Sequence, residues 1–145
     1  SASARGLGYA ESIEMTIAPW SLPIRELRWG RAISDVASIV WIEWRGEHPL
    51  VLTVVDGDAH DAGEIADSHI ATGDASVALS EARVLRDGAI GTTALASIPG
   101  LSRIAPLAWL GSRETKWVSR ADIHTRAGTS RGWAIHEVVR FQGVA

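Results

Sequence analysis

Two glutamates and an arginine stand on faces that strand alternation reserves for apolar residues, and buried charge of that kind is the raw material of acid catalysis. In Tyr9-Ala10-Glu11-Ser12-Ile13-Glu14-Met15-Thr16-Ile17 the odd positions group Glu11 with Tyr9, Ile13, Met15 and Ile17. In Trp133-Ala134-Ile135-His136-Glu137-Val138-Val139-Arg140-Phe141, Glu137 shares a face with Trp133, Ile135, Val139 and Phe141. Alternate strand residues point the same way, so each carboxylate is expected to project into an apolar interior. A carboxyl taken out of water keeps its proton or finds a cation. Arg31, on the apolar face of Leu27, Trp29 and Ile33, is the cation expected. A carboxylic acid held neutral at about pH 7 can act as a general acid, with the second carboxylate as base or orienting partner. The catalytic candidates are therefore Glu11, Glu137 and Arg31. A structural ion pair among the same groups is the competing reading.

Seven tryptophans accompany these charges. Tyr9, Trp29, Trp41, Trp117 and Trp133 are expected to wall a cavity, offering flat faces and indole N–H donors to a bound substrate and their π-faces to an intermediate cation. The ordinary use of such rings is core packing. Trp20, in a proline-flanked turn, is expected to plug one end.

Other chemistries are weakly encoded. His60, Asp61, Glu64, Asp67 and His69 would bring His60 and Glu64 together on a helix, but Gly57, Gly63 and Gly73 weaken any helix there, and the expectation is a solvated acidic loop without metal. His136 adjoins Glu137 yet points to the opposite face, which disfavours a direct dyad. No nucleophile-elbow motif is present. Gly6-Leu7-Gly8 is too short for a dinucleotide loop and opens a strand rather than a helix. No cofactor is expected, and with no cysteine there is neither a disulfide framework nor a thiolate site.

The elements that must position these residues are strands. Period-two segments run over about Leu7 to Ile17, Ile24 to Ser34, Ala37 to Arg45, Leu50 to Val55, Ser76 to Leu85, Ala89 to Ile98, Trp117 to His124, and from the turn at Gly128 to Arg131 on to Gly143. Arg86-Asp87-Gly88 reads as a hairpin turn. The stretch from Asp56 through Gly73 reads as a loop or a short strand and turn, and Leu101 to Leu110 as a strand or a short helical cover. Eight or nine strands at this spacing predict an all-β fold. The preferred form is a closed, antiparallel up-and-down barrel, because closure removes the exposed edges such strands would otherwise present.

Bulk properties narrow the partners. A chain of 145 residues predicts one domain, here residues 6–145, with residues 1–5 a small, polar leader left out of the fold. A net charge of −3, with Lys116 the only lysine, leaves no basic surface for nucleic acid. No apolar run approaches the roughly 20 residues that span a bilayer, and a cytoplasmic protein is expected.

Several segments resemble a known family. Gly8-Tyr9-Ala10-Glu11, Pro19-Trp20 with Leu22-Pro23, Leu27-Arg28-Trp29-Gly30-Arg31, Ser38-Ile39-Val40-Trp41-Ile42-Glu43-Trp44 and Gly132-Trp133-Ala134-Ile135-His136-Glu137 are similar to the lipocalin-like domain of the carotenoid 1,2-hydratase (hydroxyneurosporene synthase) and AttH-like group. Fungal pericyclases of the Diels–Alderase type are similar in fold. The resemblance implies a lipocalin-like (calycin) barrel whose cavity takes a hydrophobic isoprenoid or polyketide. It also implies cofactor-independent lyase, hydratase, cyclase or isomerase chemistry; a non-catalytic carrier of a hydrophobic ligand is the alternative. Members usually pair two such domains and this chain has the length of one, so a homodimer or a second lipocalin-like domain is the further partner implied.

Overall fold

Alternating segments rich in Val, Ile and Trp pair into one sheet in the computed structural model, which describes Ser3, Gly6, Glu14 and residues 16–143. The strands are β1 Ile24–Ile33, β2 Ser38–Gly46, β3 Leu50–Val55, β4 Asp58–His60, β5 Glu64–Ile65, β6 His69–Thr72, β7 Ala75–Ala89, β8 Arg113–Thr125 and β9 Gly128–Arg140. Their order is β4-β3-β2-β1-β9-β8-β7-β6-β5, with each neighbouring pair antiparallel. The architecture expected from the alternation is present: an all-β, up-and-down sheet of nine strands, curled into a half-barrel. First and last strands pair from Glu26↔Arg140 to Ile33↔Trp133. The two edges, β4 and β5, are consecutive in the chain. Thr53 of β3 and Thr72 of β6 draw them together through a 2.6 Å hydroxyl–hydroxyl hydrogen bond, in which one hydroxyl donates to the other, and Ala62 O accepts from the second, lying 3.3 and 3.1 Å from the two.

Three expectations need adjustment. The strand over about Leu7 to Ile17 lies outside the described residues except for Glu14, Thr16 and Ile17, none of which is in a strand. No hairpin forms at Arg86-Asp87-Gly88. Instead β7 continues to Ala89, because Arg86 pairs with Glu114, and Asp87 accepts from Arg113 and from Thr115 Oγ1 at 2.8 Å, on the neighbouring β8. The strand expected over Ala89 to Ile98 is accordingly a 3-10 turn at Ile90–Thr92 followed by further turns. Leu101 to Leu110 takes the helical alternative, as α1 Leu101–Ile104 and α2 Leu107–Leu110. Among the described residues no helix is long and apolar enough to cross a membrane.

Both faces of the central strands are covered, by different material. On the concave face Ala32, Ile39, Trp41, Ile65, Ile70, Val77, Ala121, Ile123 and Ala134 form one buried cluster that unites strands from both halves of the sheet. On the convex face Val139 packs with Ile90, Ala105 and Trp109 of the segment between β7 and β8, flanked by Trp20, Leu27 and Phe141. Trp20 meets Trp109 edge-on at 5.7 Å, so it belongs to this outer cover rather than to an end of the barrel.

Candidate functional site

A single row of residues crossing the concave face organises the site. Register pairs place Thr53, Trp41, Gly30, His136, Trp117 and Val84 side by side on β3, β2, β1, β9, β8 and β7. Glycine at the centre is required by proximity: a Cβ on Gly30 would stand 2.2 Å from Trp41 Cζ2 and 2.7 Å from His136 Cβ. The missing side chain lets the Trp41 indole lie across β1 toward His136. The imidazole stacks on Trp117 at 5.3 Å and 18°, and the Trp41 ring stands 6.5 Å from it, tilted by 41°.

Polarity changes steadily along the strands through this row. On the same face, β2 reads Ile39, Trp41, Glu43, Arg45 and β9 reads Ala134, His136, Val138, Arg140. The antiparallel β1 reads Ala32, Gly30, Arg28, Glu26 in the matching direction. One end is therefore apolar core, the other a rim of charge, and the tryptophan–histidine row lies between them. A pocket of about 340 Å³ opens there, bounded by Trp41, Trp117, His136, Leu79, Ala82 and the rim residues Arg28, Asp67 and Arg140. Ala82 reaches it because β7 loses register between Ser80 and Arg83, with Glu81 in the left-handed region at φ 50°.

His136 supplies the one imidazole lining this pocket among the described residues. Its Nε2 shares a 2.9 Å hydrogen bond with Ser119 Oγ, which is completely buried. Among the described residues Nδ1 has no hydrogen-bond partner, and the ring lines the pocket. Burial pushes the imidazole below its ordinary value of 6.5, against the opposing charge of Asp67, so the ring is held neutral. In the tautomer whose Nε2–H donates to Ser119 Oγ, the neutral imidazole presents the Nδ1 lone pair to accept a proton. The lowered value also sets a stability test. Below about pH 6.5 the unfolded chain takes up a proton that the folded chain resists, so this contribution to stability declines as pH falls toward the lowered folded value. Asp67, held low by its hydrogen bond from Arg28, titrates below that window. His136→Gln is expected to flatten the change in urea midpoint between about pH 7.5 and about pH 5.5, and an unchanged slope would place the responsible group elsewhere.

The residues singled out from the sequence divide between the faces. Trp41 and Trp117 line the pocket. Tyr9 and Glu11 lie outside the described residues. The expectation that Glu137, Arg31, Trp29 and Trp133 face the enclosed side is corrected: they share a face, as the alternation required, but that face is convex. Glu137 borders the pocket between His136 and Val138, yet strand alternation turns its carboxylate outward, where Lys116 Nζ lies 2.7 Å away. Burial raises its carboxyl above the ordinary range, opposed by the hydrogen bond and charge of Lys116. Arg31 donates to Ser38 Oγ at 3.0 Å. Trp29, with Lys116 Nζ 5.6 Å over its ring, helps to line an apolar groove of about 330 Å³ on the outer surface with Trp44, Trp109 and Phe141. Trp133 is half exposed under Arg120, 5.1 Å from its ring.

Sequence reasoning missed His136, Ser119, Arg28 and Gly30. The signal lay in parallel gradients, apolar to charged, on alternate positions of β1, β2 and β9. His60 and Glu64 fall on two short strands rather than a helix, and among the described residues no group of three His, Asp or Glu side chains could hold a metal ion. Comparison with protein-family models, with curated proteins and with solved structures finds no match for this chain.

Proposed function

We propose that the chain binds a hydrophobic small molecule in the concave pocket and moves a proton on it without a cofactor, in the manner of an isomerase, lyase, hydratase or cyclase. The observation that carries this reading is the neutral His136 presented between two tryptophans in a pocket large enough for a small ligand. Two indoles supply flat apolar contact, and the imidazole supplies a base whose conjugate acid can return the proton. The resemblance to lipocalin-like hydratases supports an isoprenoid or polyketide as ligand. In this reading His136 takes the acid–base role first sought in Glu11 and Glu137.

The test uses β-ionone, an isoprenoid enone with exchangeable carbon-bound protons. It should quench tryptophan fluorescence, and Ala82→Trp, which fills the pocket mouth from an exposed position, should weaken binding by about tenfold or more, a loss of at least about 1.4 kcal/mol. In heavy water the protein should accelerate deuterium uptake into bound β-ionone, and His136→Gln should remove that acceleration while retaining quenching. Binding that ignores Ala82→Trp would refute the pocket. Binding without accelerated exchange would leave a carrier.

A further inference from the structure

Six charged side chains at the pocket rim balance one another: Arg28, Arg45 and Arg140 against Glu26, Glu43 and Asp67. Arg28 is central. Its Nε donates to Glu26 Oε1 at 2.8 Å, its Nη1 to Asp67 Oδ1 at 2.5 Å, and Glu43 Oε2 lies 3.9 Å away. The two glutamates are fixed by further arginines: Arg45 reaches Glu26 at 3.1 Å and Glu43 at 2.9 Å, and Arg140 reaches Glu26 at 3.1 Å. Asp67 differs. Among the described residues Arg28 is its only side-chain partner, and its side chain is 86% exposed against 16% and 15% for Glu26 and Glu43. It sits on the short link between β5 and β6, over the pocket that Arg28 also lines.

Building on the pocket reading above, we infer that Asp67 is an exchangeable anion on Arg28, and that the pocket selects a hydrophobic molecule ending in a carboxylate. The ligand carboxylate displaces Asp67 and pairs with the Arg28 guanidinium, while the apolar body lies on Trp41, Trp117 and His136. The physical argument is one of replacement. Arg28 is largely withdrawn from water, and with Glu26 taken up by Nε its Nη1 still needs an acceptor; a planar guanidinium holds an incoming carboxylate there as well as it holds Asp67. The displaced Asp67 returns to solvent it already meets, so the exchange strips hydration mainly from the ligand. A neutral head group leaves the Arg28–Asp67 pair across the mouth and gains nothing from it.

The experiment titrates dansylaminoundecanoic acid and its methyl ester into the wild-type chain and into Asp67→Ala. The exposed position of Asp67 keeps the variant folded, which the urea midpoint verifies. Removing the competing anion should tighten the acid by about tenfold at low salt and leave the ester within about twofold. Raising the ionic strength should shrink the difference between wild type and variant. If both probes bind and Ala82→Trp expels them, but the acid does not respond to Asp67→Ala or the ester responds equally, the exchange is wrong and the pocket stands. Failure of both probes to bind the wild-type chain removes the pocket and this inference together.

Discussion

Trp41→Ala is expected to cost about 3–5 kcal/mol of unfolding free energy, whereas Trp133→Ala should cost less than about 1 kcal/mol. Trp41 is 2% exposed, packs in the concave cluster and leans over Gly30, so truncation opens a void that glycine cannot refill. Trp133 is 51% exposed and its recorded ring contact is the Arg120 guanidinium on an open surface. Urea unfolding followed by circular dichroism separates them without depending on tryptophan emission. A larger loss at Trp133 than at Trp41 would reverse the assignment of faces on which the site rests.

The second large effect belongs to a carboxylate that alternation alone did not single out. Glu114 is 1% exposed on the convex side of β8. Arg86 Nε donates to both of its oxygens at 3.0 Å, Arg86 Nη2 also reaches Oε1, and Thr93 Oγ1 donates to Oε2 at 3.0 Å. Burial pushes its carboxyl upward, but the hydrogen bonds from Arg86 and Thr93, with the charges of Arg86 and Lys116, outweigh that and hold it below its ordinary value of 4.5. Glu114→Gln removes the charge from a fully enclosed site and leaves Arg86, itself 35% exposed, with only the Glu137 carboxylate 4.0 Å away. The expected loss is about 2–3 kcal/mol. The sign of the pH dependence follows from the lowered value: the stabilisation is complete above the ordinary 4.5 and is lost as pH falls through the folded value. Glu114→Gln should therefore cost most near neutrality and least in acid. In a double-mutant cycle Arg86→Met should add far less to Glu114→Gln than it costs alone; full additivity would dissolve the pair.

The strands were legible because their alternation is regular and their turns carry glycine, aspartate and proline, from Asp56-Gly57 to Gly128. That eight or nine such strands form an antiparallel up-and-down sheet followed from spacing. Which face was the inside did not. Leu27, Val139 and Phe141 are large and apolar, and size alone suggests interiority; those side chains are covered because the convex face receives a second layer from residues 90–110. A tightly curled concave face crowds its side chains, and Gly30, Ala32, Ser119, Ala121 and Ala134 are small for that reason. Small residues carry little hydropathy signal, so the enclosed side read as the poorer candidate. His136 was discounted because it opposes Glu137, although facing away from Glu137 is what points it into the pocket. The hairpin at Arg86-Asp87-Gly88 failed for a nonlocal reason, since its residues are claimed by partners on β8 that lie 26 and 28 positions downstream.

The union of the first and last strands sets the order in which the molecule can be built. The adjacent pairs β2–β3 and β8–β9 close short stretches of chain, whereas joining Arg140 to Glu26 closes a loop of 114 positions, with the greater entropic cost that such a loop carries. Contacts of that range slow the search for the native state. Gly30 and His136 face each other across this seam, so the floor of the pocket exists only after β1 and β9 have met. A nascent chain released before β9 has emerged carries every residue of the histidine–tryptophan row except His136, on two sheet fragments with no strand to join them.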